Sequence, residues 1–255
     1  MSKSAPSSPF TYQMLSIVGG LALWFVAAKL VASPLLPDPV QVVGFIREAM
    51  ISGEMPYHMA MTLGRVAASF IIAMALGLAI GLAMGQSQLT DRIGDPWLIF
   101  FLNTPALVII IMAYVWFGLT EAAAIGAVAL NKIPNVAVTV REGARALDPH
   151  LDDLARIYRL SKIERLRQVV LPQLQPFFAA AARSGISLIW KIVLVVELLG
   201  RSNGVGFQLQ LYFQLFDVTA ILGYTLVFVA LMIAIEVFLV QPYERYATRW
   251  RIRSA

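Results

Sequence analysis

The chain has no cysteine and only two histidines, His58 and His150. The first absence excludes a disulfide framework and a thiolate metal site. The second leaves too few imidazoles for a histidine-rich one. Charge is scarce as well: Lys, Arg, Asp and Glu make up 14% of the 255 residues, where a soluble domain carries roughly 25%. A chain so poor in charge and 59% hydrophobic belongs in a lipid bilayer. No G-x-x-x-x-G-K-[ST] run is present, which excludes nucleotide binding by that loop. No Ser/His/Asp set, metal cluster or paired carboxylate stands out, so no enzyme is expected. The net charge of +5 does not mark a nucleic-acid binder. Its basic residues cluster between apolar runs, as loops facing a cytosol and anionic lipid do.

What the chain has in abundance is long apolar runs, at about 12–32, 60–84, 97–117, 121–140, 177–199 and 218–240. At 1.5 Å per residue, each is close to the ~30 Å hydrocarbon thickness. The expected fold class is an all-α membrane protein, one transmembrane domain over 1–255 with about six spans. Residues 1–9 are polar and Pro/Ser-rich and read as a surface segment. The first run exceeds a signal-peptide core, and Pro34 follows the only small-residue site, so it reads as an uncleaved helix. Between 33 and 58, Pro37 and Pro39 set an extended or turned entry. Val42, Val43, Phe45, Ile46, Ala49 and Met50 then recur at helical spacing, which predicts a short helix on the outer interface. Gly77, Gly81 and Gly85 share one helix face and predict a close helix approach within the chain, a dimer contact being the alternative. Asn103-Thr104-Pro105 lies inside the third run, where proline frees a carbonyl that needs a neighbour or a water-lined cavity.

Basic residues set the orientation. Lys3, Arg92, the seven from Arg141 to Arg167, and Arg245, Arg249, Arg251 and Arg253 fall on one set of loops. Arg47 and Arg201 fall on the other, with Arg65 near a helix end. The positive-inside rule places the first set in the cytosol, and with it both termini and the 141–176 loop.

That loop is polar and patterned. Asp148-Pro149 is a helix start, an N-cap type followed by proline at the first helical position. Leu151, Leu154, Ile157 and Tyr158 line one face. Ser161 with Glu164 three residues on predicts a capping box for a second short helix. Leu166, Val169 and Val170 continue its apolar side, and Pro172 and Pro176 are expected to break the chain as it re-enters the membrane. Two short amphipathic helices with a kink near Arg159-Leu160 suit a groove in a soluble partner; a hairpin lying on lipid head groups is the other reading.

The spacing of Asp153, Ala155, Ser161, Leu171 and Pro172 resembles the EAA loop of ABC-importer permeases. Asp153-Leu154-Ala155 matches Glu-Ala-Ala and Leu171-Pro172 the closing pair. Arg159 stands where that family has glycine, which reaches positive φ without cost as arginine does not. Over nearly its whole length the chain is similar to permeases of the nitrate/sulfonate/taurine family. The likeness is carried by LLPDPVQVV, TLGRVAASF, GLAIGLAMG, WFGLTE and VVELLGRSNGVGFQLQ. The resemblance implies a type I importer (MetI-like) permease fold in a bacterial inner membrane. It implies a second copy of the chain, two ATP-binding subunits and an external substrate-binding protein as partners. No cofactor is expected in this chain, ATP and Mg residing on the partner ATPase. Coupling contacts are expected at Asp153, Ala155, Arg156, Tyr158, Arg159, Leu160, Ser161, Leu171 and Pro172.

Charges inside spans are costly and usually face a cavity or a partner. Lys132 and Lys191 lie within the fourth and fifth runs. They read either as a cationic pathway for an anion such as a sulfonate, nitrate or carboxylate, or as internally paired or snorkelling groups, with Glu197 or Glu121 as the acids. Asn103 and Thr104 either line the pathway at a broken helix or pack on a neighbour. Arg183 reads as a snorkelling group or a partner for a helix C-terminus, and Lys29 and Glu236, near span ends, as interface anchors. An ion-gradient transporter or channel is the rival function. It would need no cytosolic docking loop, and no inverted repeat is apparent.

Overall fold

The computed structural model describes residues 9–248. Lys3 and the 1–8 segment, and Arg249, Arg251 and Arg253 of the tail, lie outside the described residues. Helix α1 (Pro9–Val31) is followed by α2 (Pro39–Ile51), α3 (Glu54–Gln86), α4 (Gln88–Asn103), α5 (Ala106–Phe117) and α6 (Glu121–Arg145). Then come α7 (Pro149–Ile157), α8 (Lys162–Arg165), α9 (Leu171–Gly200), α10 (Val205–Gln214), α11 (Val218–Ile235) and α12 (Gln241–Thr248). Five helical stretches are long and apolar enough to cross a membrane, and six if the bent pair α4–α5 counts as one span.

The third span differs from its expected form. It is two helices bent by 97° at Thr104-Pro105. Pro105 cannot donate a hydrogen bond, and the polar side chains before it satisfy the end of α4 instead. Asn103 Nδ2 donates to the Ile99 carbonyl and Thr104 Oγ1 to that of Phe100, both at 2.8 Å.

Pro172 and Pro176 also act differently from expectation. They do not break the chain, because Lys162 to Gly200 is one continuous helical stretch of 39 residues. A π-helical turn, Leu166–Val170, precedes Pro172, and the Leu171 N–H donates to the Leu166 carbonyl five residues back. A second one, Glu236–Val240, precedes Pro242 in the same way, with the Gln241 N–H donating to Glu236. Widening the turn accommodates a proline whose ring would clash with the carbonyl four residues earlier. The sixth span accordingly runs on to Ala247 rather than ending at 240.

Helix α3 lies close against α6. A Cβ at Gly77 would lie 2.5 Å from Val136 Cβ, one at Gly81 2.6 Å from the Ala137 carbonyl, and one at Gly85 2.4 Å from Ala144 Cβ. The glycine stripe therefore serves packing within the chain. Val66, Ile110, Ala124, Val128, Ile189 and Val193 fill the centre between α3, α5, α6 and α9. The 39–51 helix forms as expected but does more than rest on an interface. Phe45 and Ile46 pack with Tyr224 and Phe228 of α11, and Gly223 leaves space for the Phe45 ring. Asp38 caps α2 through the Gln41 N–H at 2.9 Å and pairs with Lys29 at 2.7 Å. The lysine first, then the capped amides, hold its carboxyl below the usual range.

At the other end of the bundle α4 is clamped to α6. Arg141 bonds Asp95 at 2.5 Å and Asp91 at 3.3 Å, and Arg145 bonds Asp91 at 2.6 Å.

Candidate functional site

Two groups of side chains stand apart from ordinary packing, one at each end of α9. The first is the hairpin after α6. Asp148 accepts from the His150 N–H at 2.9 Å and opens α7, with Pro149 at its first position. The helix closes with the Leu160 N–H on the Ala155 carbonyl at 2.9 Å, a 6→1 bond of the Schellman type. The geometry of this closure puts Arg159 at φ +52°. The position that is glycine in the resembled family is thus left-handed here and filled by arginine. Ser161 and Glu164 form the full capping box, with Glu164 N–H to Ser161 Oγ at 3.3 Å and Ser161 N–H to Glu164 Oε2 at 2.8 Å. Those bonds hold the Glu164 carboxyl below its ordinary range.

Ala155 is buried, whereas Asp153, Arg156, Tyr158, Arg159 and Ser161 are exposed and Leu160 is half-buried. Leu171 and Pro172 are exposed on the first turn of α9. Several apolar groups also stand in the open: Leu154 at 46%, Ile157 at 73%, Tyr158 at 75% and Ile163 at 78%. A left-handed arginine costs roughly 1–2 kcal/mol. Arg159→Gly is therefore expected to stabilise the chain by about 0.5–1 kcal/mol, glycine's freedom in the unfolded chain offsetting part of the relief. Thermal unfolding of the detergent-purified protein measures this, and an unchanged or lowered midpoint would contradict it.

The second group is a buried polar network where α3, α6, α9 and α10 meet. Arg65, 3% exposed, bonds Glu197 at 2.6 Å and Glu121 at 2.6 and 2.9 Å. It also donates to the Asn203 carbonyl at 2.9 Å and to Asn203 Oδ1. Glu197 is fully buried, and its second oxygen accepts from Thr62 Oγ1 at 2.9 Å and the Gly206 N–H at 2.8 Å. Arg201 reaches Glu121 at 2.7 Å. The Gly204 N–H donates to His58 Nδ1 at 2.9 Å, and the Gln208 side-chain amide lies 2.6 Å from the other ring nitrogen, Nε2. Two arginines and two carboxylates balance in charge, as a buried cluster must. Gly204, at φ +108°, and Gly206 leave no room for a Cβ beside Glu197 and the Leu194 carbonyl.

This network absorbs Glu197 and Glu121, which meet arginines rather than Lys132 or Lys191. Lys132 is 2% exposed. Its stem passes between Phe70 and Gly185, where a Cβ would lie 3.2 Å from Lys132 Cε. Among the described residues it has no hydrogen bond or ion pair. Lys191 is exposed and lies over the Trp190 ring, 5.4 Å from its centroid. Asn103 is exposed at the α4–α5 bend, and Thr104 lines an apolar cavity of about 580 Å³ between α4, α5 and α6. Sequence reasoning missed Arg65, Thr62, His58 and Asn203. A charged residue eleven positions into an apolar helix, Arg65 in α3, was the available signal.

A bundle of apolar spans carrying a capped polar hairpin between two of its helices defines a polytopic membrane protein. The chain belongs to the family of binding-protein-dependent transport system inner membrane components, whose model matches residues 73–252. It is 30% identical over 235 residues to the putative aliphatic sulfonates transport permease protein SsuC of Escherichia coli (strain K12), covering 91% of this chain and 89% of that one. It is 26% identical to the taurine transport system permease protein TauC of the same organism, over 79% and 78% of the two chains. The fold is similar to that of the MetNI methionine ABC transporter in inward-facing conformations. There the TM-score is 0.64 at 19% identity, covering 74% of this chain and 93% of that chain.

Proposed function

We propose that two copies of this chain form the translocation unit of an ATP-driven importer in a bacterial inner membrane. An external binding protein delivers a small anionic solute, and separate ATPase subunits, carrying ATP and Mg, dock on the 149–165 hairpin. The hairpin carries this reading. It is tightly capped, yet presents Leu154, Ile157, Tyr158 and Ile163 uncovered, and clustered apolar groups on a polar loop mark a partner surface. Asp153, Arg156 and Arg159 flank them and would fix register with that partner.

Because Lys162 to Gly200 is one helical rod, a push on the hairpin reaches the whole length of α9. Its far end is anchored by Glu197 and the Arg65 network. Differential affinity of ATP for the closed partner arrangement supplies the work. On α9, Ser184, Ser187, Leu188, Lys191 and Val195 form one exposed face. A lysine at that depth does not face hydrocarbon stably, so a second copy across a solvated pathway is the fitting neighbour. Lys191 and the buried Lys132 bring positive charge to that pathway. The similarity to permeases named for sulfonates and taurine agrees with an anionic solute.

The test is direct. In Ile157→Asp/Ile163→Asp the ATPase subunit should no longer follow the chain through detergent purification, while the chain itself stays folded, both side chains being exposed. Retention of the ATPase by that double variant would refute the docking surface.

A further inference from the structure

Lys132 stands near the middle of α6 and is 2% exposed. Its Cε and the Phe70 ring of α3 both press on α9 at Gly185, 3.2 and 3.6 Å from where a Cβ would lie there. Among the described residues it has no hydrogen bond and no ion pair. The nearest charges along α9 are Arg183 and Lys191, both cations, so neither can match it. Glu121 on α6 and Glu197 on α9 lie about 16–18 Å along their helices from this contact, by the helical rise per residue, and both are already bound to Arg65. An ionised amine removed from water without a partner destabilises the arrangement that buries it. Ser184 and Leu188, on either side of Gly185, belong to the exposed face of α9, so the lysine sits just behind that face. Pro134, within α6, has no N–H for the Leu130 carbonyl, which makes this turn the easiest place for α6 to bend.

We propose that Lys132 is a built-in spring of the transport cycle. Its unmatched charge destabilises the closed packing of α6 on α9. Binding of ATP to the partner subunits completes a separation at Gly185 that brings the ammonium into the solvated route. Without the charge, the closed packing is too stable and the cycle slows. Resting on the permease reading, this gives the lysine a part in setting which arrangement is populated rather than in holding the solute. A group that is costly in one arrangement and solvated in the other shifts the balance by that difference alone.

The chain has no cysteine, so a single introduced one is a unique reporter. In the full chain purified with its ATPase subunits, Lys132→Cys is reacted with a water-soluble maleimide, without nucleotide and after trapping with ATP and vanadate. The label is read on this chain after gel separation. Ile189→Cys, at a site 0% exposed, and Ser202→Cys, at an exposed site in the 201–206 turn, mark the buried and open rates. Lys132→Cys is expected to react at least about tenfold faster in the trapped complex, since a minor state is commonly 0.1–10% populated before its ligand arrives. Lys132→Met keeps an unbranched stem and removes the charge. It should raise the unfolding midpoint of the chain by about 2–4 °C or more and lower ATP hydrolysis by the complex. A lysine serving packing alone would lower the midpoint when replaced. A midpoint that falls or stays, hydrolysis that is unchanged or rises, or labelling that does not differ between the two states would overturn the proposal. Co-purification of the ATPase with the wild-type chain separates the two readings. If the ATPase follows and any of these results appears, only the spring fails. If it does not follow, the permease reading itself fails, and the spring with it.

Discussion

Replacing Arg65 with methionine is expected to cost about 3–5 kcal/mol of stability, because Glu197 is then left buried without its cation. The size follows from the surroundings. Glu197 is fully buried and Arg65 is 3% exposed, so neither can turn to water when its partner is lost. The same substitution releases the Asn203 carbonyl and side chain and removes both Arg65 bonds to Glu121, loosening the 201–206 turn from α3. Glu197→Met should cost a similar amount, since it strips bonds from Thr62 and the Gly206 N–H as well. The double variant Arg65→Met/Glu197→Met should be markedly less unstable than the sum of the two. Residues in one buried network couple by about 0.5–3 kcal/mol. Unfolding midpoints of the four proteins in detergent decide it. Single costs below about 1 kcal/mol, the range of exposed ion pairs, together with additivity, would remove the network from the stability account.

The second large effect belongs to the α3–α6 seam. Gly81→Leu is expected to leave little folded protein, and Gly81→Ala to cost about 1–3 kcal/mol, the range for overpacking a tight contact. The reason is what the new Cβ meets: the Ala137 carbonyl at 2.6 Å, Val140 Cβ at 2.8 Å and the Arg141 nitrogen at 3.1 Å. Two of these three are backbone, which cannot rotate away. Gly64, on the same helix, has nothing within 4 Å of its would-be Cβ and is the control. Gly64→Ala should be neutral or gain about 0.5–1 kcal/mol from helix propensity. The yield of monodisperse protein by size-exclusion chromatography, followed by thermal unfolding, measures both. Equal behaviour of Gly81→Ala and Gly64→Ala would mean the seam has slack that these distances do not show.

The two predictions also mark what could and could not be read from residues in order. The Gly77/Gly81/Gly85 stripe was legible, because three small residues at four-residue spacing fall on one face whatever surrounds the helix. The capping box at Ser161 and the Asp148-Pro149 start were legible for the same reason: each is a hydrogen-bond pattern completed within four residues. Arg65 was not. Its acids lie 56 and 132 positions away, and nothing local to TLGRVAASF names them. The path of the chain through Pro172 was misread because proline is a helix breaker by local rule. A π-turn before it, held on a long helix that packs along α6, overrides that rule.

By itself, then, the sequence determined that this protein lives in a bilayer as a set of apolar helices with one patterned polar hairpin. Scarce charge and long apolar runs admit no other solvent, because backbone groups in hydrocarbon must bond within their own helix. The tertiary structure alone decided which charges within the spans are matched, Arg65 with Glu197 and Glu121, and which, like Lys132, are not. It also decided that the hairpin is the head of a 39-residue rod rather than a detached loop. Pairing energies depend on distances between residues far apart in the chain, and those distances exist only once α3, α6, α9 and α11 have packed.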